Sequence, residues 1–182
     1  MWTLEELGEP YELIVMDSDE GRGEAHRARH PLGKVPVLED DEGFIFESPA
    51  ICMHLADLRP DGGLAPPPGT HARALMYQWV CFTHAELEPP LLETAIHAEK
   101  DPERSAKARA KFDRAVEVLS GALGDRDYLI GDFSVADIMA SSTLGFTTRM
   151  GMSDALPHNL RDYLARVAER PAHQRSIERM SS

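Results

Sequence analysis

HPLGKVPVLEDDEGFIFESPAICMHL, residues 30–55, is the stretch of sequence that decides the fold. Its pattern predicts a turn at Gly33, a short strand that starts near Pro36, an acidic turn and a second short strand at residues 44–46. Because proline lacks a backbone N–H, Pro36 should lie at the start or the edge of its strand. The stretch therefore predicts a β-hairpin with exposed backbone at its entrance.

The same stretch predicts an abrupt start of a helix. Ser48 is a good N-cap residue, and Pro49 fits the first helical position. The helix is expected to run from Pro49 to about Leu58. The first N–H groups of a helix have no partner within it, so this end could receive an anion.

The segments around the hairpin indicate a division of the chain. Residues 1–7, MWTLEEL, are predicted to be the tail of a helix stopped by Gly8. Residues 11–16, YELIVM, are rich in β-formers and are predicted to form a strand. The Pro/Gly-rich residues 59–69 predict a linker. Everything from residue 71 onward is helical in pattern, with an interruption expected at Pro89-Pro90.

A capping box marks the start of one helix in this second half. In DFSVADI, residues 132–138, Ser134 can cap the helix and Asp137 can accept a hydrogen bond from the Ser134 N–H. Phe133 and Ile138 can pack together as a hydrophobic staple. This pattern predicts a helix that begins at Ser134.

Composition excludes several classes of protein. The net charge of −12 argues against nucleic acid as a partner, because phosphate binding needs a basic surface. No apolar run approaches membrane-spanning length, and Glu5 and Glu6 come too early for a signal peptide. Cys52 and Cys81 have no metal-ligand spacing and are interpreted as reduced core residues. A soluble, cytoplasmic protein is expected.

One basic segment interrupts this acidity. Residues 22–34 hold Glu24 as their sole acid and six basic or imidazole side chains: Arg22, His26, Arg27, Arg29, His30 and Lys34. The segment could be a positive spot that receives a small anion, or a solvated helix face. No metal site is predicted, because His26 and His30 are too few ligands and lack an HExxH pattern.

Two sets of motifs carry a resemblance to a known family. GKVPVLED with FESPAI, and YLIGDFSVADIMAS on the far side of the linker, resemble the glutathione transferases. The resemblance implies an α+β thioredoxin-like domain at residues 1–60, a linker at 61–70 and an all-helical domain at 71–182. The family usually forms homodimers, so a homodimer is expected through the 49–58 helix and the long helix that starts at His71.

The resemblance also implies a binding site for glutathione as co-substrate. Glu47 and Ser48 would hold the γ-glutamyl end. The main chain of Val35 would pair with the cysteinyl backbone, and the Val35–Pro36 bond would be cis. Lys34 would face the glycine carboxylate.

The resemblance leaves a gap at the start of the chain. WTLEELGEPYEL resembles the end of the family's first helix and its second strand, so the first strand and the loop that carries the thiol-activating residue are expected to be absent. No residue of this sequence matches the thiol-activating position. Either Met1 is an internal methionine of a longer protein or the chain is a natural short form; we favour the first explanation because the binding block is otherwise intact.

Three functions are compatible with these motifs. The first is a glutathione transferase that conjugates the thiol of glutathione to a small electrophile. The second is a non-catalytic module for binding or assembly, since fold does not fix function. The third is a glutathione-dependent isomerase or reductase. Met76, Tyr77 and Trp79 are candidates to line an electrophile pocket by location, although core packing is the better interpretation of each.

Overall fold

The chain folds into a small N-terminal layer followed by a larger helical part. The computed structural model describes residues 1–17, 23–152 and 156–181. The N-terminal elements are α1 (Trp2–Leu7), α2 (Glu24–Arg29), β1 (Val37–Asp40), β2 (Gly43–Phe46) and α3 (Ser48–Leu58). After a short 3₁₀ turn at Pro60–Gly62 come α4 (His71–Phe82), a π-helical turn (Thr83–Leu87), α5 (Glu88–His97), α6 (Pro102–Leu123), α7 (Val135–Arg149), α8 (His158–Ala168) and α9 (Pro171–Ser181). The predicted fold class, a small α+β layer followed by helices, is confirmed.

The predicted hairpin is present. Strands β1 and β2 pair antiparallel, with Val37 opposite Phe46 and Asp40 opposite Gly43. The Asp40 carboxylate closes the turn by accepting hydrogen bonds from the backbone N–H groups of Glu42 at 2.9 Å and Gly43 at 3.0 Å. The acidic turn therefore fixes the register of the hairpin through one side chain.

The predicted strand at residues 11–16 is wrong. These residues form no strand, and Leu13, Ile14 and Val15 are 38%, 60% and 80% exposed. The sheet formed by the described residues contains β1 and β2 alone. A strand needs a neighbour for its N–H and C=O groups, and β propensity largely reflects packing against such neighbours. The β-rich composition of this segment is therefore not sufficient to make it a strand.

The predicted capping box at the start of α7 is confirmed. Asp137 is fully buried, and its carboxylate accepts hydrogen bonds from the Ser134 N–H at 2.9 Å and the Leu129 N–H at 2.9 Å. The Tyr163 hydroxyl of α8 donates a further bond at 3.0 Å. Burial raises the pKa of Asp137 although these donors oppose the rise. One carboxylate thus joins the start of α7, the preceding loop and α8.

The predicted interruption of the long helix lies in the π-helical turn before Pro89-Pro90. The two prolines have no N–H to donate to carbonyls one turn earlier, and a wider turn accommodates this loss. Around it the helices pack on a core of large buried side chains that includes Met76, Leu87, Leu91, Phe112 and Leu144. Among the described residues, none of the helices combines the length and apolar character that crossing a bilayer requires.

Two glutamates of α1 connect the beginning of the chain to its end. Glu6 forms a bidentate ion pair with Arg170, at 2.7 and 2.8 Å. Glu5 is 7% exposed and accepts from Arg175 at 2.8 Å, while its other oxygen lies 2.8 Å from Arg179. The hydrogen bond from Arg175 is the main reason that the pKa of Glu5 is lowered. We call these two glutamates and three arginines the terminal clamp.

Replacing Glu5 by Gln should reduce the free energy of unfolding by about 1–3 kcal/mol at pH 7, because the buried Glu5 carboxylate loses its charged contacts with the half-exposed Arg175 and Arg179. The pKa of Glu5 is lower in the folded protein than in the unfolded chain, where it is about 4.3. The stability that Glu5 contributes is therefore fully present above the unfolded pKa and is lost as the pH falls through the folded pKa. The difference between the two proteins in urea unfolding should therefore shrink below about pH 5.

Glu103→Gln is the matched control, because Glu103 forms an ion pair with Lys107 at 2.7 Å on the exposed surface of α6. Glu103→Gln should reduce the free energy of unfolding by less than about 0.5 kcal/mol. Equal effects of the two substitutions, or a Glu5 effect that does not change with pH, would contradict the assigned role of the clamp.

Candidate ligand-binding site

The open end of the hairpin gathers three of the four predicted site residues. Val37 is paired with Phe46, so the chain that enters β1 at Val35 and the chain that leaves β2 at Glu47 lie at the same end. Opposed residues of antiparallel strands are only about 5 Å apart. Val35 therefore lies close to Glu47 and Ser48, and Lys34 comes one residue before Val35.

The backbone at Val35 is available to a ligand. Val35 is 69% exposed, and the Val35–Pro36 bond is cis, as predicted. Among the described residues, neither the N–H nor the C=O of Val35 has a hydrogen-bond partner. The side chain of Lys34 is exposed beside it. This segment presents one donor, one acceptor and one cation to solvent.

The prediction that Ser48 is the N-cap of α3 is wrong by one residue. Glu47 occupies the N-cap position, with φ 71° and ψ 116°, and Ser48 is the first helical residue. No side chain of the described residues caps this helix. The N–H groups of Ser48 and Ala50 therefore point out of the first turn with no helical partner, at the positive end of the helix dipole.

A histidine of the helical part reaches this site. The Nε2 atom of His84, in the π-helical turn, lies 3.7 Å from a carboxylate oxygen of Glu47. Its Nδ1 atom lies 3.0 Å from a carboxylate oxygen of Glu88. His84 thus lies between the start of α3 and the start of α5. No sequence signal identifies it, because only the packing of α3 against the helical part brings the two segments together.

Two further histidines lie beneath the site. His26 and His30, which the sequence places on one helix face, are both buried. His26 Nε2 lies 2.8 Å from the Lys34 carbonyl oxygen, and the His30 ring packs on Phe46 with 4.7 Å between ring centroids. They are therefore part of the support of the site and not part of a solvated face. Arg22, the first residue of the basic segment, lies outside the described residues.

Other predicted residues separate into core and surface. Met76 and Trp79 are buried, as the core interpretation predicts. Tyr77 is 42% exposed and stacks on Arg73, so the core interpretation is wrong for Tyr77. Cys81 is also exposed, because it lies on the outer side of α4. In residues 1–17, 23–152 and 156–181, no three His, Cys, Asp or Glu side chains come together as a metal site would require.

The arrangement suits a small peptide that carries both charges. Glu47 offers a carboxylate for an ammonium group, and the first turn of α3 offers N–H groups for a carboxylate. The exposed main chain of Val35 can pair with a peptide backbone, and Lys34 can attract a second carboxylate. Because residues 34–35 and residues 47–48 lie on the two chains at the open end of the hairpin, a ligand that contacts all of these groups must span that end.

Comparisons with known proteins agree across the whole chain. Residues 1–57 match the family model for the glutathione S-transferase N-terminal domain, and residues 70–171 match the model for the C-terminal domain. The chain is 31% identical to the probable glutathione S-transferase GSTF2 of Oryza sativa subsp. japonica, over 95% of this chain and 86% of the relative. A sphingomonad glutathione S-transferase solved in complex with glutathione has a TM-score of 0.87 and 31% identity, over 97% of this chain and 90% of that one.

A relative that is not named as a glutathione S-transferase also matches. Elongation factor 1-gamma of Danio rerio is 34% identical over 131 residues, which are 68% of this chain and 28% of that protein. The similarity therefore extends to a much longer protein that contains a segment like this one.

Replacing Glu47 by Gly should give a more stable protein than replacing it by Ala. The φ of 71° is unfavourable for a residue with a Cβ and costs about 1–3 kcal/mol, whereas glycine adopts it freely but loses about 0.4–1 kcal/mol through greater entropy of the unfolded chain. Urea unfolding should show the Gly variant to be about 1 kcal/mol more stable than the Ala variant. Both variants lose the His84 contact, so Ala is the control for that loss, and a less stable Gly variant would show that Glu47 is not strained.

Proposed function

Because the chain belongs to the glutathione S-transferase family, we propose that it binds glutathione at the open end of the hairpin and transfers the glutathione thiol to a small electrophile. The observation that supports this most is the convergence of a free Val35 backbone, the Glu47 carboxylate and the uncapped start of α3. The groups of the extended tripeptide match these features in kind and order. Glutathione serves as co-substrate, and its own sulfur is the reacting atom.

Each predicted site residue has a role in this proposal. The Glu47 carboxylate binds the ammonium group of the γ-glutamyl end, and Ser48 donates its N–H and hydroxyl to the adjacent carboxylate. The Val35 main chain pairs with the cysteinyl residue in the manner of an added β-strand. Lys34 attracts the glycine carboxylate from an exposed position. We also propose that the domain boundary lies in the linker at residues 61–70.

The proposed reaction is a displacement or addition by sulfur. The thiolate of glutathione forms a carbon–sulfur bond with the electrophile. In a displacement the leaving group departs with the electron pair of its bond to carbon; in an addition the π-electron pair of an activated double bond moves away from the attacked carbon, and the adduct then takes a proton from water. The thiolate is the nucleophile, so a lowered thiol pKa is the central requirement. The electrophile would occupy the cleft beside His84, between α3 and the helical part.

A second candidate is a non-catalytic module for binding or assembly. The similarity to elongation factor 1-gamma supports it, because that protein shares this fold segment within a longer chain. The fold can keep its ligand groups without chemistry, so binding and turnover are separate questions. A glutathione-dependent isomerase or reductase would use the same binding groups and differ in the fate of the thiol.

We further propose a homodimer. A groove of about 490 Å³ lies between the π-helical turn with α5 on one side and α6 on the other. Its floor is apolar, and its rim carries both acidic and basic side chains: Glu86, Glu93, Lys111 and Arg114. A surface with both signs of charge can be self-complementary, as a two-fold interface requires. A second copy of this chain is therefore the proposed occupant, with α3 and α4 extending the contact.

Calorimetric titration with reduced glutathione should give saturable binding, and addition of an aryl halide electrophile should give thioether product above the uncatalysed rate. Oxidised glutathione and the free amino acids of glutathione are the controls for specificity. Binding without product from a panel of electrophiles would favour the second candidate. An absence of heat, of thermal shift and of amide protection at residues 33–50 would refute the proposed site.

Replacing Ser48 by Ala should weaken glutathione binding by roughly 1–2 kcal/mol, since a hydrogen bond to a charged group is lost. Lys34→Ala should have a smaller effect that declines as salt is added, because the side chain is exposed. Ser142→Ala, on the exposed face of α7, is the matched control and should bind as the parent does. Unchanged affinity in a folded Ser48→Ala variant would remove the Ser48 hydroxyl from the ligand set.

A further inference from the structure

The buried imidazole of His26 contacts the backbone that the proposed ligand needs. His26 is 3% exposed, and its Nε2 atom lies 2.8 Å from the carbonyl oxygen of Lys34. A carbonyl oxygen can only accept a hydrogen bond, so Nε2 is the donor and carries the ring proton. The Nδ1 atom is buried and has no partner among the described residues. The ring therefore has one polar contact, and that contact is the Lys34–Val35 peptide.

This contact determines which way the peptide faces. The Lys34–Val35 bond is trans, since the cis bond follows at Val35–Pro36. In a trans peptide unit the C=O and the N–H point in opposite directions within one plane. Because the Lys34 C=O is held against the buried His26 ring, the Val35 N–H points the other way, toward the exposed side. Val35 itself is exposed on that side.

Other contacts fix the rest of this loop without acting on that peptide. The His30 backbone accepts a hydrogen bond from the Gly33 N–H at 2.8 Å, and the His30 ring accepts one from the Leu32 N–H at 3.1 Å. These bonds shape the turn before Lys34. Among the described residues, His26 supplies the one protein hydrogen bond to the peptide unit that joins Lys34 to Val35.

We propose that His26 is a positioning residue for glutathione: its Nε2–H holds the Lys34 carbonyl inward and so presents the Val35 N–H to the cysteinyl carbonyl of the ligand. The inference rests on the proposed function, because the ligand that uses the Val35 N–H is the one proposed there. His26 touches no ligand itself. Without its hydrogen bond the peptide unit can rotate, and part of the binding free energy is spent on restoring its orientation.

Three substitutions, His26→Gln, His26→Asn and His26→Leu, test whether His26 positions the peptide or merely fills space. The amide nitrogen of Gln reaches the position of Nε2, whereas the amide nitrogen of Asn is one methylene short, and Leu fills the volume with no donor. Glutathione should bind the Asn and Leu variants about 10-fold more weakly than the parent and the Gln variant within about 3-fold of it. Amide hydrogen exchange should show that glutathione protects the Val35 N–H in the parent and the Gln variant and protects it poorly in the other two.

Leu160→Ala in the buried core of α8 is the control for lost stability, and it should lower the melting temperature while leaving the affinity for glutathione unchanged. If the Leu variant does not fold, the Gln and Asn pair decides the question, since both place an amide at the same buried position. Folded Asn and Leu variants that bind glutathione as tightly as the parent would overturn the role of His26.

A measurement without ligand separates this inference from the proposed function. Nitrogen-15 NMR of the histidine rings in the parent protein should show His26 with its proton on Nε2 and a bare Nδ1. The opposite tautomer would overturn the inference even if glutathione binds. If glutathione does not bind the parent, the proposed function fails, and the expected tautomer together with altered Val35 exchange in the Asn variant would still support His26 as the residue that orients the peptide.

Discussion

The terminal clamp is the interaction on which the small N-terminal layer depends. A two-stranded hairpin is marginal at best in water, and a six-residue helix is far too short to be stable alone. Both must therefore gain stability by docking. Glu5 and Glu6 dock α1 by accepting from Arg175 of α9 and from Arg170, which lies between α8 and α9, while Trp2 packs against Phe133 and His173. The helix α3 contacts both α1 and the hairpin, so the hairpin is held through α3. The charges lie at the edge of a shared apolar contact, which is where ion pairs lose the least solvation.

The candidate site is built from a few short segments that meet at one end of the hairpin. Four turns or helix ends meet at the open end of one hairpin: the loop before β1, the start of α3, the C-terminal end of α2 and the π-helical turn. The loop before β1 and the start of α3 leave backbone groups or a strained residue available because regular structure stops there, whereas α2 and the π-helical turn contribute the side chains of His26 and His84. Ligand groups are thus supplied mostly by backbone, and side chains such as His26 and His84 orient or balance them. A rigid hairpin with an irregular end is enough to build such a site.

Local chemistry explains which features could be predicted from the sequence. The Asp40 turn, the Gly8 stop of α1 and the Ser134–Asp137 box each depend on residues a few positions apart, so the sequence contains the whole interaction. The features that the sequence did not predict correctly depend on residues that are far apart in the sequence. Residues 11–16 have β propensity but no strand to pair with among the described residues, and the cap of α3 shifted to Glu47 because the hairpin fixes where the chain enters. The burial of His26 and the approach of His84 to Glu47 arise only after the layers dock.

Glu47 links ligand binding to the docking of the two parts. Its backbone is strained at the start of α3, one carboxylate oxygen faces His84 of the helical part, and the proposed ligand ammonium would approach the same carboxylate. A ligand that binds the docked arrangement and not the separated one stabilises docking, and the stabilisation grows with the logarithm of its concentration once that exceeds the Kd. The terminal clamp acts on the same equilibrium through α1 and the end of the chain. Binding at the hairpin and the ion pairs of α1 are therefore two contributions to one interface, although they share no residue.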